Sequence, residues 1–427
     1  MSSFVIEGGR PLAGEVQIAG NKNAALPMLA ATLLTDEAVT LENVPEIRDV
    51  LTMQAVLADL GADVAVGARG RVTCRMTQLR GTRPDSALCQ TMRASFVLAG
   101  ALLGRAGRAD LAAPGGDKIG RRPVDTHVIA LRELGAEIEV LPDRYRMSAP
   151  RGLRGAEIFL AEMSVMATEN VLMAAVLARG TTVLRNAASE PHVQDLCRLL
   201  LAMGARIDGV GSSSLTIEGV DRLHGCRARV GPDYLEVGSF IALAAICGGE
   251  LRIRDARPDE HRATAVAYAR LGATWSAEGD DIVVPAHGEL VVQDGLHGAV
   301  PRIHDAPWPG FPADLTSIAL VLATQARGTS LIHEWMYESR LYWVDRLISM
   351  GARVIVCDPH RAIVMGPSKL YAQTVSSPDI RAGMALLLAA LVAEGRSVIH
   401  NAQQIDRGYE RIDERLRALG ASIERVD

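Results

Sequence analysis

A polar stretch from Pro114 to Asp125 carries the residue types that hold anions. It reads Pro-Gly-Gly-Asp-Lys-Ile-Gly-Arg-Arg-Pro-Val-Asp. Its three glycines allow positive φ and a close approach of the backbone to a ligand. Its lysine and two arginines are natural partners of phosphate and carboxylate groups. Asp117, at the tip of the Gly-Gly turn, becomes a proton donor if a closing site raises its pKa. An ordinary surface turn has a similar composition, so the rest of the chain must decide between the two interpretations.

The composition bounds the classes of function. A chain of 427 residues with 48% hydrophobic and 22% charged residues predicts a soluble globular protein of two or three domains. A net charge of −5 argues against a general nucleic-acid binder. The start of the chain has no basic and apolar export signal, and apolar runs such as 384–392 are too short to span a membrane. We therefore expect a cytoplasmic protein.

The six cysteines are dispersed and show no metal-ligand spacing. We expect them to be reduced, buried thiols, and we expect no metal site. They are Cys74, Cys89, Cys197, Cys226, Cys247 and Cys357.

A Leu/Met-Gly-Ala motif recurs six times at intervals of roughly 70 residues. Each copy follows a helical pattern and precedes a strand-like run, so its glycine belongs at the left-handed position after a helix. The six motifs are 60–62, 134–136, 203–205, 271–273, 350–352 and 419–421.

A short strand-like segment lies upstream of each motif and leads through a loop into the helix. These segments are 39–43, 109–113, 181–186, 251–255, 329–333 and 397–401. The pattern predicts six copies of one mixed helix-and-strand unit, arranged as a single ring or as two lobes of three. Turn signals at 228–233, and strand-like segments ahead of Lys22, favour two lobes. We expect one lobe of residues 1–21 with 232–427, a second of residues 22–231, and a cleft between them.

Seven stretches spread over the whole chain together resemble the enolpyruvyl transferases, in particular the UDP-N-acetylglucosamine 1-carboxyvinyltransferase family. They are 20–27 (Gly-Asn-Lys-Asn-Ala-Ala-Leu-Pro), 91–95, 114–125, 164–165, 311–314 (Phe-Pro-Ala-Asp), 379–382 and 405–411 (Ile-Asp-Arg-Gly-Tyr-Glu-Arg). The resemblance implies an α/β fold of two inside-out barrels, each built from three repeated units, which agrees with the repeat count.

The resemblance also implies a reaction. Such enzymes move the enolpyruvyl group of phosphoenolpyruvate (PEP) onto a sugar hydroxyl and release phosphate, without a cofactor. The two anionic groups of PEP need several cations in a dry site. By resemblance Lys22, Arg122 and Arg407 surround the phosphate. Arg340 and Arg381 complete the anion site.

A base and an acid are also needed, one to take the hydroxyl proton and one to protonate the PEP methylene. By resemblance Asp314 is the base and Asp117 is the acid on the loop. A position after Phe-Pro also suits Asp314 to capping a helix, and the two roles are compatible. Asn23 and Glu190 match polar residues of the cleft, Asn23 on the PEP side and Glu190 on the nucleotide side. The other implied contacts with a uridine nucleotide are Arg93, Arg122, Pro123, Val124, Asp125, Thr126, Glu162, Met163, Ser164, Val165, Asp314 and Met336.

The sequence departs from the family pattern in several places. Asp117 stands where most members have a cysteine, so the thiol that the antibiotic fosfomycin alkylates is missing while a proton donor remains. Met166 replaces a glycine and Glu162 a common lysine beside the implied diphosphate contacts. Tyr234 replaces an arginine, and Tyr342-Trp343 follow Arg340 in place of smaller or His-containing sequence.

Three functions therefore remain open from the sequence. The first is transfer of enolpyruvate to the 3′-hydroxyl of UDP-N-acetylglucosamine for peptidoglycan synthesis. The second is the same transfer to UMP in nucleoside-antibiotic synthesis, since a smaller acceptor tolerates a larger side chain and fewer cations. The third is an inactive nucleotide-binding protein, against which the joint presence of Lys22, Asp117, Asp314 and Arg407 argues. The small-molecule partners are PEP and a uridine nucleotide in the first two cases, with no nucleic-acid or membrane partner.

Overall fold

A computed structural model describes residues 2–117 and 119–426. The chain divides into two compact units. Residues 20–117 and 122–231 form the N-terminal unit. The described residues up to 19, together with 119–121 and 232–426, form the C-terminal unit. Residues 119–121, which the sequence places in the N-terminal lobe, group with the C-terminal unit, where the backbone N–H of Ser339 donates to the carbonyl of Ile119 at 3.2 Å.

Short strands and helices alternate along the described residues. The strands are β1 Ser3–Glu7, β2 Gly14–Gln17, β3 Val39–Glu42, β4 Asp63–Val66, β5 Val72–Arg75, β6 Arg108–Ala112, β7 Glu137–Val140, β8 Arg144–Ser148, β9 Glu157–Phe159, β10 Thr181–Arg185, β11 Arg206–Asp208, β12 Ser214–Glu218, β13 Arg227–Arg229, β14 Leu251–Arg254, β15 Ser276–Glu278, β16 Asp281–Val284, β17 Arg302–His304, β18 Gly328–His333, β19 Val354–Asp358, β20 Arg361–Gly366, β21 Thr374–Ser376, β22 Arg396–His400 and β23 Ser422–Val426.

The α-helices are α1 Lys22–Ala31, α2 Arg48–Asp59, α3 Ser86–Cys89, α4 Leu98–Ala106, α5 Asp125–Glu133, α6 Val165–Ala175, α7 Pro191–Ala202, α8 Tyr234–Cys247, α9 Arg262–Ala269, α10 Thr316–Gln325, α11 Val344–Ser349, α12 Ile380–Val392 and α13 Ile412–Ala418. Short 3₁₀ segments cover Thr32–Leu34, Arg93–Val97, Pro258–His261, Leu296–Gly298, Ala313–Leu315 and Ala402–Arg407.

The six predicted repeats are present. Each strand-like segment forms a strand (β3, β6, β10, β14, β18 and β22), and each motif glycine follows a helix with positive φ, from +85° at Gly272 to +110° at Gly61. Positive φ is the left-handed conformation that glycine adopts without steric cost. The motif therefore ends one helix and turns the chain into the next strand in all six copies.

Three sheets occupy the described part of each unit. In the N-terminal unit their strand orders are β13-β3-β5-β4, β11-β12-β10-β9 and β6-β8-β7. In the C-terminal unit they are β21-β22-β1-β23, β15-β16-β14-β2 and β17-β18-β20-β19. The first strands of the chain belong to the C-terminal unit: β1 lies antiparallel between β22 and β23, and β2 pairs in parallel with β14.

Helices fill the interior of each unit and sheets cover it. Helices α6, α8, α10 and α12 are buried along nearly their whole length and carry apolar residues all round. Strands such as β10 and β22 alternate between buried and more accessible residues, as expected for a sheet with one face on the core. The predicted fold of two inside-out α/β barrels is confirmed.

The prediction of buried thiols is correct for three cysteines, partly correct for two and wrong for one. Cys74, Cys89 and Cys197 are buried, and Cys226 and Cys247 are partly buried. Cys357 is exposed because β19 is an edge strand of its sheet. Burial raises the pKa of Cys74 and Cys89 to about 11, so these thiols stay protonated. In the described residues, no helix combines the length and apolar character needed to cross a membrane.

Candidate active site

Lys22 is held at the first turn of α1. The side chain of Asn21 caps this helix, because its Oδ1 accepts hydrogen bonds from the backbone N–H groups of Asn23 and Ala24 at 2.7 and 3.2 Å. The Lys22 ammonium group lies 3.1 Å from Oδ2 of Asp49, in the first turn of α2. Both side chains are almost buried. The predicted phosphate ligand therefore has a fixed position and a counter-charge.

The glycine loop leaves β6 and packs closely on the segment before α4. A Cβ on Gly115 would lie 1.7 Å from the carbonyl oxygen of Gln90, and one on Gly116 would lie 2.8 Å from Cβ of Arg93. Gly116 also has φ +107°. Glycine is thus required at both positions, which places Asp117 at the end of a closely packed turn. Arg93 donates from Nη2 to the carbonyl of Pro123 at 3.2 Å, joining two segments predicted to bind the nucleotide.

Three other predicted nucleotide-binding positions begin helices. Asp125 starts α5, and Glu190 immediately precedes α7. Ser164 caps α6: its hydroxyl accepts from the backbone N–H of Ala167 at 3.3 Å. Helix N-termini attract anions, since their first N–H groups lack partners within the helix. The start of α6, with Ser164 and Val165, is suited to holding a phosphate group.

The other departures from the family pattern divide into side chains that pack in a core and side chains that are exposed. Met166 is half-buried and packs on the core of the N-terminal unit, whereas Glu162 is exposed. In the C-terminal unit Tyr234 is buried at the start of α8, with its ring edge-on to Trp308 at 5.8 Å. Trp343 is also buried and donates from its indole N–H to Ser317 at 3.1 Å, while Tyr342 is exposed.

A buried polar network that the sequence did not reveal supports Arg93 and α5. The amide nitrogen of Asn170 donates to the carbonyl of Phe96 at 3.0 Å and lies 2.9 Å from Nδ1 of His127. Its oxygen accepts from the backbone N–H of Gly100 at 2.6 Å. Burial, with a smaller effect of the charge of Arg93, lowers the pKa of His127 to about 3. The imidazole is therefore neutral, and its Nδ1 accepts the bond from Asn170.

Asp314 lies between two buried arginines in the C-terminal unit. Its Oδ1 accepts from Nη2 of Arg340 at 2.5 Å, and its Oδ2 accepts from Nε of Arg381 at 2.9 Å. Asp314 lies in the 3₁₀ turn ahead of α10, and the N-cap residues of the turn and of the helix are Pro312 and Leu315, so Asp314 does not occupy either cap position. The predicted base and two predicted PEP ligands thus form one cluster.

Arg381 is fixed by its place at the start of α12. Asp379 caps this helix and accepts from the backbone N–H of Arg381 at 2.8 Å. The Arg381 guanidinium also lies 5.6 Å from the ring centre of Tyr409, whose hydroxyl is 3.0 Å from that of Ser239. Guanidinium groups bind aromatic faces favourably, most strongly when desolvated. The arginine is thus oriented on both sides before any ligand arrives.

Arg407 ends the 3₁₀ turn Ala402–Arg407, next to the start of α12. Its Nη1 donates to Oε1 of Gln404 at 3.1 Å. The turn is tied to the last strand by Arg425, which binds both carboxylate oxygens of Asp406 at 2.8 Å. A paired fork of this kind restricts orientation as well as distance.

The sequence predictions thus fall into two groups, each described within its own unit. The N-terminal unit holds Lys22, Asn23, Asp117, Arg122 and the predicted nucleotide contacts other than Asp314 and Met336. The C-terminal unit holds Asp314, Arg340, Arg381, Arg407 and Met336. Sequence reasoning missed Asn170, His127 and Glu334, because a polar residue outside a motif does not show in the sequence whether its side chain is buried.

Comparison with known proteins defines the class. Residues 6–416 match the sequence model of the family described as EPSP synthase (3-phosphoshikimate 1-carboxyvinyltransferase). Two solved structures share the fold. The enolpyruvyl transferase NikO from Streptomyces tendae has a TM-score of 0.88 and 24% identity, with 100% of this chain and 99% of that chain covered. An EPSP synthase from Acinetobacter baumannii has a TM-score of 0.75 and 18% identity, with both chains fully covered. The chain belongs to this family of carboxyvinyl (enolpyruvyl) transferases.

Nearer relatives share about half of the sequence. Two proteins named UDP-N-acetylglucosamine 1-carboxyvinyltransferase align over almost the full length. The one from Treponema denticola is 50% identical, with 99% of both chains covered. The one from Bradyrhizobium diazoefficiens is 52% identical, with 99% of this chain and 98% of the relative covered.

Proposed function

We propose that the protein transfers the enolpyruvyl group of PEP to the 3′-hydroxyl of UDP-N-acetylglucosamine and releases phosphate, a step of peptidoglycan precursor synthesis. The observation that carries this proposal is the cluster of Asp314 with Arg340 and Arg381 in a chain about half identical to enzymes of that name. A carboxylate can take a hydroxyl proton, and buried guanidinium groups can hold the carboxylate and phosphate of PEP.

The reaction divides into an addition and an elimination. In the addition, Asp314 takes the proton of the acceptor hydroxyl, the oxygen bonds to C2 of PEP, and Asp117 gives a proton to C3. The product of this step is a tetrahedral intermediate that still carries phosphate. In the elimination, the Asp117 carboxylate takes a proton back from C3, the bond between C2 and the phosphate oxygen breaks, and the leaving phosphate takes the proton held by Asp314. Atoms and charges balance without a metal or redox partner.

The cations act on the charge that moves to the phosphate. Lys22, Arg122 and Arg407 hold the phosphate in this proposal, with Arg340 and Arg381 on the carboxylate side and Asn23 beside them. Fixed positive groups stabilise a leaving phosphate most when they need no reorganisation. The short contacts of Lys22 with Asp49 and of Arg381 with Asp314 provide that fixed arrangement.

The nucleotide contacts are proposed for the N-terminal unit. Arg93 and the segment 122–126 would bind the uridine, Glu162 to Val165 would lie along the diphosphate at the start of α6, and Glu190 would face the sugar. Asp314 and Met336 would complete the acceptor site from the C-terminal unit.

UMP is the second candidate acceptor. Exposed Glu162, in place of a lysine, favours an acceptor with one phosphate. Met166 favours it less than the sequence suggested, because its side chain packs on the core. The relatives near 50% identity favour UDP-N-acetylglucosamine as the acceptor, because they are named for that substrate.

The proposal is tested by following the product. Purified protein is incubated with PEP and UDP-N-acetylglucosamine, and the nucleotide is analysed by mass spectrometry while released phosphate is measured. We expect an enolpyruvyl adduct of the nucleotide and phosphate in equal amounts. Release of phosphate without an adduct would show hydrolysis of PEP and would refute the proposed transfer.

A further inference from the structure

Two buried acids lie side by side at the ends of parallel strands in the C-terminal unit. Strands β17 and β18 pair in parallel with His304 opposite His333. The next residues are Asp305 and Glu334, both with 0% of their surface exposed. Adjacent buried carboxyl groups cannot both be ionised without a large electrostatic cost.

One oxygen of each acid is satisfied by the backbone. Oε1 of Glu334 accepts from the N–H groups of Met336 and Tyr337 at 3.2 and 3.1 Å, and Oδ1 of Asp305 accepts from the N–H of Trp335 at 2.9 Å. The remaining oxygens, Oε2 of Glu334 and Oδ2 of Asp305, are buried and have no donor among the described residues. A shared proton would satisfy both of them.

The pKa of Glu334 is consistent with one proton shared between the two carboxyl groups. Burial, then a hydrogen bond to Asp305 and the charge of Asp305, raises the pKa of Glu334 to about 9, against an opposing effect of Arg340. Glu334 is therefore protonated at neutral pH and is the donor of the hydrogen bond to Asp305.

This pair lies against one end of Arg340. Oε2 of Glu334 is 3.9 Å from Nε of Arg340, and that Nε is itself buried with no hydrogen-bond acceptor among the described residues. The other end of the guanidinium donates to Asp314, and only 3% of the Arg340 side chain is exposed. The same arginine also lies 5.2 Å from the ring centre of Tyr337, whose N–H is bound by Glu334.

We propose that Asp305 and Glu334 form a one-proton carboxyl pair that positions Arg340, and with it Asp314, for binding of PEP. They are positioning residues, since neither is proposed to touch a substrate. This inference rests on the proposed role of Arg340 toward PEP. One negative charge orients the guanidinium from behind. If both carboxyl groups were ionised, their two negative charges would draw the Arg340 guanidinium away from PEP. If neither were ionised, Asp314 would be the nearest counter-charge of Arg340.

The single amide variants test the proton. Glu334→Gln retains the oxygen that accepts the two backbone N–H groups and replaces the proton with an amide donor facing Asp305. In Asp305→Asn the amide donates instead, and Glu334 becomes the ionised partner. Each variant keeps one charge and one hydrogen bond. We expect KM for PEP and kcat within about threefold of the parent in both, a difference below about 0.7 kcal/mol.

The double variant, Asp305→Asn with Glu334→Gln, tests the positioning. Two amide groups now face each other and the negative charge is gone. We expect KM for PEP to rise more than about tenfold, because a buried cation has lost a charged partner, with a smaller change in KM for the acceptor. The matched control neutralises two exposed acids, Asp259→Asn with Glu394→Gln, and should leave both KM values unchanged.

Infrared spectroscopy provides a readout that does not need turnover. At neutral pH the parent should show the C=O band of a protonated carboxylic acid that is missing from Glu334→Gln and from Asp305→Asn. Absence of a band difference between parent and Glu334→Gln would overturn the pair. A double variant with the parent's KM for PEP would overturn the positioning role. A parent that shows the band but forms no product would refute the proposed function and leave the shared proton standing.

Discussion

At the scale of single residues, Asp314 combines two tasks that compete. It balances the charges of two buried arginines, and in the proposed mechanism it takes a proton from the acceptor. Each of its two oxygens faces a different arginine. The bonds to arginine position the carboxylate in advance of the substrate.

Replacing the Asp314 carboxylate with an amide separates its binding of the arginines from its acceptance of a proton. Asp314→Asn keeps an oxygen for one arginine but cannot accept a proton, so we expect turnover to fall about 100-fold or more, with a smaller change in KM for PEP. Steady-state kinetics would measure this, with exposed Asp345→Asn in α11 as the control. A variant that retained more than about a tenth of the parent's turnover would make Asp314 structural.

Asp117 predicts resistance to fosfomycin. A carboxylate is a far weaker nucleophile toward an epoxide than a thiolate, yet a carboxylic acid can still donate a proton. The parent should therefore be active and not be inactivated over time by the drug, whereas Asp117→Cys should keep some activity and become sensitive. Asp117→Ala should lose turnover.

Mass spectrometry after incubation with fosfomycin reads out the adduct. The experiment is run in a Cys357→Ser background, which removes the exposed thiol from the described residues. An adduct on unmutated Asp117, or an active Asp117→Cys variant that stays unmodified, would contradict the proposed position of the loop acid.

His127 makes stability depend on pH. Its folded pKa of about 3 lies below its ordinary value of 6.5, so the unfolded state binds one more proton between these values. Its contribution to stability is complete above about pH 6.5 and is lost as pH falls toward 3. We expect His127→Gln to reduce the slope of unfolding free energy against pH by up to about 1.4 kcal/mol per unit between pH 6 and 4, measured by urea titration. Exposed His297→Gln should leave the slope unchanged, and an equal slope in both variants would show that His127 is not buried in its neutral form.

At the scale of elements, the sequence predicted what depends on local chemistry. The glycine of each Leu/Met-Gly-Ala motif needs positive φ at the end of a helix. The recurrence of this motif along the chain therefore predicted six repeats and their strands. The bonds of Asp314 to Arg340 and Arg381 join residues 26 and 67 positions apart, and no periodicity reports such contacts. The resemblance supplied these residues but not their geometry.

Buried polar groups were the hardest to predict. Asn170 follows Thr168 and Glu169, and Glu334 follows His333, so no pattern marks either side chain as buried. Asn170 also binds Phe96 and Gly100, which are distant in the sequence. For Cys357 the error was the reverse, because burial was predicted and the thiol is exposed. Cys357 lies in a run of Val and Ile that suggests burial, but its strand is at the edge of the sheet and one side of the strand is open.

The glycine loop gives an element-scale prediction. Residues 119–121 pack in the C-terminal unit, with the N–H of exposed Arg121 donating to Glu338 at 3.4 Å. Such long bonds are weak, so we expect trypsin to cut after Arg121 without ligand and UDP-N-acetylglucosamine with PEP to slow this cut several-fold. The bond after Arg69, in an exposed turn, is the internal control. Equal cleavage with and without ligands would contradict ordering of this loop by substrate.

At the scale of the whole molecule, two units with the same repeated architecture carry different chemistry. The N-terminal unit presents helix starts and the glycine loop, which suit phosphate and nucleotide groups. The C-terminal unit presents the carboxylate and buried arginines. The proposed reaction needs both sets, and neither set alone can both hold a nucleotide and activate its hydroxyl.

The most direct test of this account is the rate of phosphate release from PEP with UDP-N-acetylglucosamine, with UMP and with neither. We expect a kcat/KM for the nucleotide sugar at least about 100-fold above that for UMP, a difference of about 2.7 kcal/mol, and negligible phosphate release without an acceptor. A higher kcat/KM for UMP would assign the protein to the second candidate function. No acceptor-dependent release with either nucleotide would contradict the account as a whole.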